Sequence, residues 1–250
     1  AEATDNGWIW RIPIGDRYGT GYLYSSKFTS DEEAREKYND WLVKNFDTKL
    51  TSDRIIRYKP GYYEDYWMGN CLAIGLSSGF VEPLESTGLH IVITQVLNFI
   101  RYNSSLKSLE FDKKSVNKIS RDFYVDTINF VCLHYNTNRT DSEFWKYITE
   151  NKLDWVKDVE QKCKEDFLDI TFFRNNPTHN IWPLESYISV AQGLNMFSKD
   201  GIQNYLNSKS DGRGIIKDGN EILEFAKNKY KNQQAKTGGQ HKTFINQHSF

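Results

Sequence analysis

The sequence NCLAIGLSSGFVEPLESTGLHIVITQVLNFIRY occupies residues 70–102 and predicts three consecutive elements. Its first ten residues are short and apolar and end at Gly79, which is typical of a buried strand that breaks into a turn. Residues 80–88 form the turn. Residues 89–102 then carry apolar side chains at helical spacing. We therefore expect a buried strand, a turn and a mostly buried helix, in this order.

The turn places a carboxylate and two hydroxyls immediately before this helix. Glu85, Ser86 and Thr87 precede Gly88, and the amides of residues 87–89 have no carbonyl partner inside a helix that starts there. Free amides next to a glycine that permits close approach form a ready anion site. A capping role for Ser86 or Thr87, and a solvated carboxylate at Glu85, are the alternative explanations of these residues.

The letters PLES occur a second time, at residues 183–186, where Tyr187 follows instead of a Thr-Gly pair. The four letters alone therefore carry little weight. The longer sequence AIGLSSGFVEPLESTG, residues 73–88, is the informative unit. At the second copy we expect Pro183 to occupy the first position of a helix.

Two segments near the start of the chain predict an antiparallel hairpin. Residues 7–14 and 19–26 alternate large apolar with other residues, and a Gly-Asp-Arg-Tyr turn separates them. Ser30 and Glu33 then have the spacing of a capping box and begin a helix. Two or three strands are too few to close a sheet, which leaves open a pairing with strands outside this chain.

Further helices follow residue 102. Residues 116–135 place their apolar side chains on one side, and residues 140–143 have the spacing of a second capping box. Residues at intervals of four predict another helix, namely Trp155, Val159, Cys163 and Phe167. At least five helices and few strands predict a helix-rich α+β fold. We expect one region over residues 1–226 and a polar tail over residues 227–250.

The overall charge excludes one class of function. The chain has 32 Lys and Arg against 33 Asp and Glu, a net charge of -1. A protein that binds nucleic acid through charge has a basic excess, which is absent here. The 7 Trp, 15 Tyr and 15 Phe provide a core that makes disorder improbable, because each buried ring removes roughly 150–250 Å² from water.

The cysteines and the longest apolar segment indicate in which cellular compartment the protein is expected. Cys71, Cys132 and Cys163 lack metal-ligand spacing, so we expect reduced, buried thiols and no metal. The longest apolar stretch, residues 89–100, is shorter than the roughly 20 residues that a bilayer requires, and nothing resembles a signal peptide. We therefore expect a cytoplasmic protein without a membrane partner.

Three segments, in this order, resemble the flavin-dependent halogenases of the tryptophan halogenase group. The first has the family's Trp-x-Trp-x-Ile-Pro pattern at Trp8, Trp10, Ile12 and Pro13. The second has its Phe, Pro, Ser and Gly at Phe80, Pro83, Ser86 and Gly88. The third, FVCLHYNTNRTDSEFW at residues 130–145, is similar to the family's helix followed by an Arg-x-Asp-x-x-Phe-Trp segment.

The resemblance implies the C-terminal half of a flavin-monooxygenase-like, two-lobed enzyme. Such an enzyme takes reduced FAD from a separate flavin reductase, and oxygen and halide then give hypohalous acid, which halogenates an electron-rich aromatic ring. The resemblance also implies site residues: Glu85 and Ser86 catalytic, Thr87 and Gly88 binding halide through their amides, Leu76 and Leu89 contacting the flavin. The motif that contains Trp8 and Trp10 would line the wall near the flavin.

Two features of the family are missing from this sequence. Its dinucleotide-binding Gly-x-Gly-x-x-Gly pattern and its catalytic lysine belong to an N-terminal half that has no counterpart here. We therefore expect a fragment, or a chain whose N-terminal half is a partner polypeptide, with poor FAD binding and no turnover alone. A homodimer is left open.

The substrate is less well defined. Phe172, Phe173 and Trp182 either stack an aromatic substrate or belong to the core, and His179 is expected at the surface or at a helix start. Free tryptophan is not favoured over another indole, a phenol or a carrier-bound ring. Two alternatives to a halogenase are a flavin-dependent aromatic monooxygenase and a non-catalytic aromatic-binding fragment.

Overall fold

The computed structural model describes residues 1–102, 109–169, 172 and 181–209, with the isolated residues Gly214, Lys217, Asn220, Glu221, Glu224 and Asn228. Phe173, His179 and nearly all of the predicted tail lie outside the described residues. The chain divides into two compact units. The first comprises Ala1–Asp53, Arg139–Tyr147 and Ile202–Phe250, and the second comprises Arg54–Asn138 and Ile148–Gly201.

The described residues contain seven strands and seven α-helices. The strands are β1 (Glu2–Ala3), β2 (Gly7–Ile14), β3 (Arg17–Tyr24), β4 (Gly61–Tyr62), β5 (Trp67–Met68), β6 (Cys71–Leu72) and β7 (Gly79–Phe80). The helices are α1 (Asp31–Phe46), α2 (Thr87–Tyr102), α3 (Leu109–His134), α4 (Glu143–Glu150), α5 (Asp154–Glu165), α6 (Leu184–Gly193) and α7 (Lys199–Asn207). The helix-rich α+β composition is as predicted. The division into residues 1–226 and a tail stays a prediction.

The predicted hairpin is confirmed as β2 and β3 of a three-stranded antiparallel sheet in the order β1-β2-β3. Its turn is two residues rather than four, because Gly15 at φ 58° allows the tight connection that a left-handed residue makes. Trp10 pairs with Gly21 in the register. A Cβ atom on Gly21 would lie 1.9 Å from the Trp10 ring, so this position has room only for glycine.

The capping box before α1 is confirmed. The Ser30 hydroxyl accepts from the Glu33 amide at 3.2 Å, and the Glu33 carboxylate accepts from the Ser30 amide at 2.9 Å. The second cap differs from the prediction, because Ser142 and not Thr140 accepts from the Trp145 amide at 3.2 Å before α4. Ser142 is held there because its hydroxyl also donates to the carbonyl of Asp5 at 2.6 Å.

The predicted buried strand at residues 70–79 is wrong. Only the two-residue pairings of β6 and of β7, which ends at Phe80, form there, and a 3₁₀ turn, Gly75–Ser77, lies between them. The left-handed backbone of Gly69 (φ 55°) folds β5 and β6 into a small hairpin, and that of Gly75 (φ 63°) bends the chain again. Short pairings interrupted by glycines therefore replace one continuous strand, and Leu76 is exposed.

Helix α2 begins at Thr87, two residues before the predicted start, and is less buried than predicted. Ile91 and Gln95 are buried, whereas exposed apolar side chains occupy other positions along the helix, at Leu89, Ile93, Leu97 and Ile100. The helix is apolar on most sides, but the described part of the second unit covers only one of them.

The main core of the second unit lies among α3, α5 and α6. Its buried members are Phe130, Leu133, Val156, Val159, Cys163, Leu168, Tyr187, Ala191 and Met196. Burial of the thiols is confirmed for Cys163, whereas Cys132 is half-buried. Cys71 is exposed in the β5–β6 hairpin, so the prediction of a buried thiol is wrong there. Within the described ranges, every helix is too short or too polar to cross a membrane.

Candidate active site

The turn before α2 carries Glu85 in an uncommon backbone conformation. Glu85 has φ 63° and Ser86 has φ 52°, both left-handed, and the Ser86 amide donates to the Pro83 carbonyl at 3.1 Å. Each left-handed non-glycine residue costs about 1–2 kcal/mol. Strained residues of this kind cluster at functional sites. Both side chains are exposed, as a carboxylate and a hydroxyl that meet a ligand require.

The start of α2 provides amides that have no carbonyl partner within the helix. The first amides of a helix have no partner within it, and here they belong to Thr87, Gly88 and Leu89. The Thr87 side chain is buried, whereas Gly88 is exposed. A Cβ atom on Gly88 would meet no other atom within 4 Å. An anion can therefore approach the backbone closely at this position.

An apolar cleft lies beside this helix start. It has a volume of about 300 Å³ and brings together three of the predicted residues, Leu76, Gly88 and Leu89. The remaining lining residues are Gly75, Gly79, Phe80, Ile91 and Val92. Leu76 and Leu89 are each 77% exposed. Two leucines with that much free apolar surface, at the edge of an open cleft, are suited to contact a flat apolar ligand.

Buried hydrogen bonds hold the loop that carries Leu76. The Gln95 side chain accepts from the Gly75 amide at 2.8 Å and donates to the Ser78 hydroxyl at 2.8 Å. The Tyr124 hydroxyl lies 2.8 Å from the Ser78 hydroxyl, and burial raises the pKa of Tyr124. Gln95 was not identified from the sequence as a site residue. The available signal was a glutamine among the apolar residues of this helix.

Two acidic residues of the turn are bound by residues at the C-terminal end of α3. Glu85 Oε1 lies 3.1 Å from Nε2 of His134, and Glu82 accepts from the Tyr135 hydroxyl at 3.0 and 3.1 Å. His134 was not identified from the sequence as a site residue. The available signal was its place in the third segment that resembles the halogenases, FVCLHY at residues 130–135.

The predicted aromatic substrate contacts pack partly against the core. The Trp182 ring stacks on Phe130 at 4.5 Å and lies 6.3 Å from the His90 ring. Its Nε1 atom is buried and has no hydrogen-bond partner among the residues that the structure describes. Phe172 is half-buried against the same core. A role of these two residues in substrate binding stays a prediction, and Phe173 lies outside the described residues.

The tryptophan motif belongs to the first unit. Trp8 is buried and Trp10 is half-buried, with ring centroids 5.6 Å apart, while Ile12 and Pro13 are exposed near the hairpin turn. The two tryptophans are two residues apart in β2, so their side chains share one face of the strand. Their predicted position near a flavin stays a prediction.

Comparison with known proteins identifies the relatives of this chain. The profile of the tryptophan halogenase family matches residues 1–207. The tryptophan 7-halogenase RebH of Lentzea aerocolonigenes is 37% identical over 163 residues, which are 61% of this chain and 29% of that protein. The tryptophan 6-halogenase ThaL of Streptomyces albogriseolus is 29% identical over 213 residues, 79% of this chain and 39% of that protein.

Solved structures give the same relationship. The crystal structure of the thermophilic tryptophan halogenase Th-Hal from Streptomycin violaceusniger superposes with a TM-score of 0.75 and 28% sequence identity, covering 93% of this chain and 44% of that one. This chain spans between 29% and 39% of the length of the two curated relatives above. Because the family profile extends over most of the sequence, the chain belongs to the flavin-dependent tryptophan halogenase family.

Proposed function

We propose that this chain forms the part of an FAD-dependent halogenase that faces the halide and an electron-rich aromatic substrate such as an indole or a phenol. One observation carries the proposal. The Glu85 carboxylate lies on a left-handed turn immediately before the first residues of α2, and the apolar cleft lies beside the same helix start. A base, an anion site and an apolar surface are thus provided by one short segment, residues 75–92.

The residues of the cleft fit a flavin ring. Leu76 and Leu89 offer exposed apolar surface, and Gly88 leaves space beside the backbone because no side chain projects from it. Reduced FAD, when bound, supplies the electrons with which oxygen converts halide into an electrophilic halogen species. The sequence contains no Gly-x-Gly-x-x-Gly pattern, so the pyrophosphate of FAD would bind outside this chain.

The amides of Thr87 and Gly88 would bind the halide ion. They point out of the first turn of α2, where the helix dipole places partial positive charge. The cleft next to Gly88 is apolar, so an ion bound there is partly shielded from water. Shielding strengthens the attraction between the amides and the anion, because less solvent screens it.

Glu85 would accept the proton that an aromatic ring releases on halogenation. A carbon–halogen bond forms first. The carbon–hydrogen bond at the same carbon then breaks, its electron pair returns to the ring, and the proton bonds to the carboxylate. A positioned base contributes typically 10²–10⁴-fold to rate. By resemblance to the halogenase family, Ser86 is the neighbour of this base. The catalytic lysine and the flavin reductase would be supplied from outside this chain.

The proposal is tested with the polypeptide encoded by the complete reading frame. It is incubated with FAD, a flavin reductase, NADH, chloride or bromide and a panel of indoles and phenols, and products are analysed by mass spectrometry. We expect a halogenated product that depends on added halide. A hydroxylated product in the presence of halide would instead identify a monooxygenase. Absence of both FAD binding and product would identify a non-catalytic binding fragment.

A further inference from the structure

The side chain of Gln95 joins the two walls of the apolar cleft. Gln95 belongs to α2, whose first turns line one wall, and it accepts a hydrogen bond at 2.8 Å from the amide of Gly75, in the loop that lines the other wall. The side chain is buried, and Gln95 is 3% exposed. It follows Gly88 by seven residues, which is about two turns of helix. One buried side chain therefore connects the helix at the cleft to the loop that carries Leu76.

The directions of the hydrogen bonds around Gln95 follow from what each group can donate. A backbone amide only donates, so Oε1 of Gln95 faces the amide of Gly75 and Nε2 faces the Ser78 hydroxyl at 2.8 Å. The Ser78 hydroxyl donates to the Gly75 carbonyl at 2.7 Å. Gly75, Gln95 and Ser78 thus form a closed ring of three hydrogen bonds. Both backbone groups of Gly75 are held by this ring.

Helix α3 contacts the same ring at further points. The Tyr124 hydroxyl lies 2.8 Å from the Ser78 hydroxyl and 3.2 Å from the Gly79 carbonyl oxygen. Nε2 of Gln95 also donates to the Ser120 hydroxyl at 3.3 Å. Ser78, Ser120 and Tyr124 are all buried. A buried polar group that loses its partner carries the cost of its desolvation, so these bonds oppose any displacement of the loop.

The backbone of Gly75 also packs closely against α2. Gly75 has φ 63°, and a Cβ atom there would lie 2.7 Å from Cγ2 of Val92. Non-bonded carbon atoms are normally about 3.5–4.0 Å apart. Glycine therefore allows the loop to approach the helix this closely, and the hydrogen bond to Gln95 holds it there. Leu76, the next residue, projects from this fixed point with 77% of its surface exposed.

We propose that Gln95 is the positioning residue of Leu76 and that the ring it forms sets the affinity of the cleft for a flavin ring. The inference rests on the proposed function, in which Leu76 and Leu89 contact flavin. A flat ligand contacts both leucines only when the two walls are correctly spaced. A loop that is already fixed also loses little conformational freedom on binding. Loss of the ring should therefore weaken flavin binding, although Gln95 does not itself touch the flavin.

Flavin binding is measured on the complete polypeptide by titration with oxidised FAD, followed through flavin fluorescence. Gln95→Met keeps a long unbranched side chain and removes its hydrogen bonds. We expect Kd for FAD to rise roughly tenfold in this variant. Tyr124→Phe is a milder second variant, because it removes one hydroxyl that contacts the ring. It should raise Kd by roughly twofold to fivefold.

Asn117→Leu is the matched control. The Asn117 side chain, on α3, accepts from the Trp67 amide at 2.9 Å and donates to the Trp67 carbonyl at 3.1 Å. Asn117 is buried like Gln95 and also holds a backbone segment, but one outside the described residues that line the cleft. Circular dichroism checks that the variants are folded. We expect Kd for FAD to change less than about twofold in Asn117→Leu. Equal increases in Asn117→Leu and Gln95→Met would assign the effect to general destabilisation and overturn the proposal.

Hydrogen exchange tests the position of the loop without flavin. The Gly75 amide loses its acceptor in Gln95→Met, so we expect the amides of residues 75–79 to exchange roughly tenfold faster, with no change in Asn117→Leu. An unchanged exchange rate in Gln95→Met, or faster exchange together with an unchanged Kd, would overturn the role of Gln95 alone. Absence of FAD binding in the unsubstituted polypeptide would instead overturn the proposed function, and this inference with it.

Discussion

The tetrapeptide Pro-Leu-Glu-Ser occurs at residues 83–86 and at residues 183–186, and the two copies adopt different backbones. Pro83 has ψ -16° and leads into left-handed residues at Glu85 and Ser86. Pro183 has ψ 150° and is the extended residue before α6, so the glutamate and serine that follow it are helical. In both copies the serine amide donates to the proline carbonyl, at 3.1 and 2.9 Å.

The partners of each copy account for the difference. Tyr187, directly after the second copy, is fully buried and its hydroxyl donates to Asp126, which fixes the first turn of α6 in the core. After the first copy, helix α2 starts at Thr87, and the preceding turn is bound to the end of α3 through Glu85 and His134. Identical short sequences therefore take the conformation that their distant contacts stabilise.

The largest expected effect is a difference in halogenation rate between variants of Glu85 and Glu185. Glu85→Gln should lower halogenation at least 100-fold, because the amide cannot accept the proton, whereas Glu185→Gln should change the rate less than twofold. Rates are measured with the complete polypeptide at saturating halide, and circular dichroism checks that both variants are folded. Similar rates for the two variants would contradict the role of Glu85.

A smaller effect is expected at the glycines. Gly88→Ala places a methyl group beside the amides of α2, where the protein itself offers no obstacle within 4 Å. We expect the fold to persist and KM for halide to rise about tenfold, equivalent to about 1.4 kcal/mol of binding. Gly193→Ala, equally free of neighbours at the end of α6, is the control and should leave KM unchanged. An unchanged KM in Gly88→Ala would show that halide does not bind at this helix start.

The two serines should respond to glycine with opposite signs. Ser86→Gly relieves a left-handed residue and should raise the free energy of unfolding by about 0.5–1 kcal/mol. Ser186→Gly places glycine in a helix and should lower it by about 0.5–1 kcal/mol. Urea denaturation of both variants measures the two changes. The same sign for both would mean that the backbones of the two copies are alike in solution.

The smallest expected effect is a difference in the rate at which the cysteine thiols are alkylated. Burial, and secondarily the charge of Glu82, raises the pKa of Cys132 to about 11, and burial raises that of Cys163 to about 12. At pH 8 the thiolate fractions are therefore roughly 10⁻³ and 10⁻⁴. We expect iodoacetamide to modify exposed Cys71 first, Cys132 next and Cys163 last, as followed by mass spectrometry.

The raised pKa values of the two thiols also make the free energy of unfolding depend on pH. Because the pKa of Cys132 is higher in the folded chain than in the unfolded chain, its neutral thiol contributes its full stabilisation below pH 9. This contribution to the free energy of unfolding is lost as the pH rises towards 11. Glu82→Gln should bring the modification of Cys132 to lower pH and leave Cys163 unchanged. Modification of Cys163 before Cys132 at pH 8 would contradict the burial of the α5–α6 core.

Features that depend on near neighbours were predicted correctly from the sequence. The β2–β3 hairpin and the capping box of Ser30 and Glu33 are formed by residues close along the chain. The cap of α4 was displaced by two residues to Ser142, because Asp5, far away in the sequence, holds that hydroxyl. The start of α6 was displaced by one residue, since Pro183 precedes the helix instead of beginning it.

The errors concern burial. Residues 70–79 are apolar enough for a buried strand, yet Gly69 and Gly75 bend the chain and leave Cys71 and Leu76 exposed. Helix α2 has the composition of a buried helix, but several of its apolar residues are exposed in the described part of this chain. Composition specifies what a segment can bury, whereas the neighbours present decide what it does bury.

The hairpin, the first helix with its cap and the three segments that resemble the halogenases could be predicted from the sequence, because their hydrogen bonds and residue patterns lie within a few positions. The left-handed backbone of Glu85, its contact with His134 about fifty residues away, and the hydrogen bond that the Gly75 amide donates to Gln95 depend on the folded chain. These features combine strain with partners from separate elements, and such strain persists only where the folded surroundings compensate its cost.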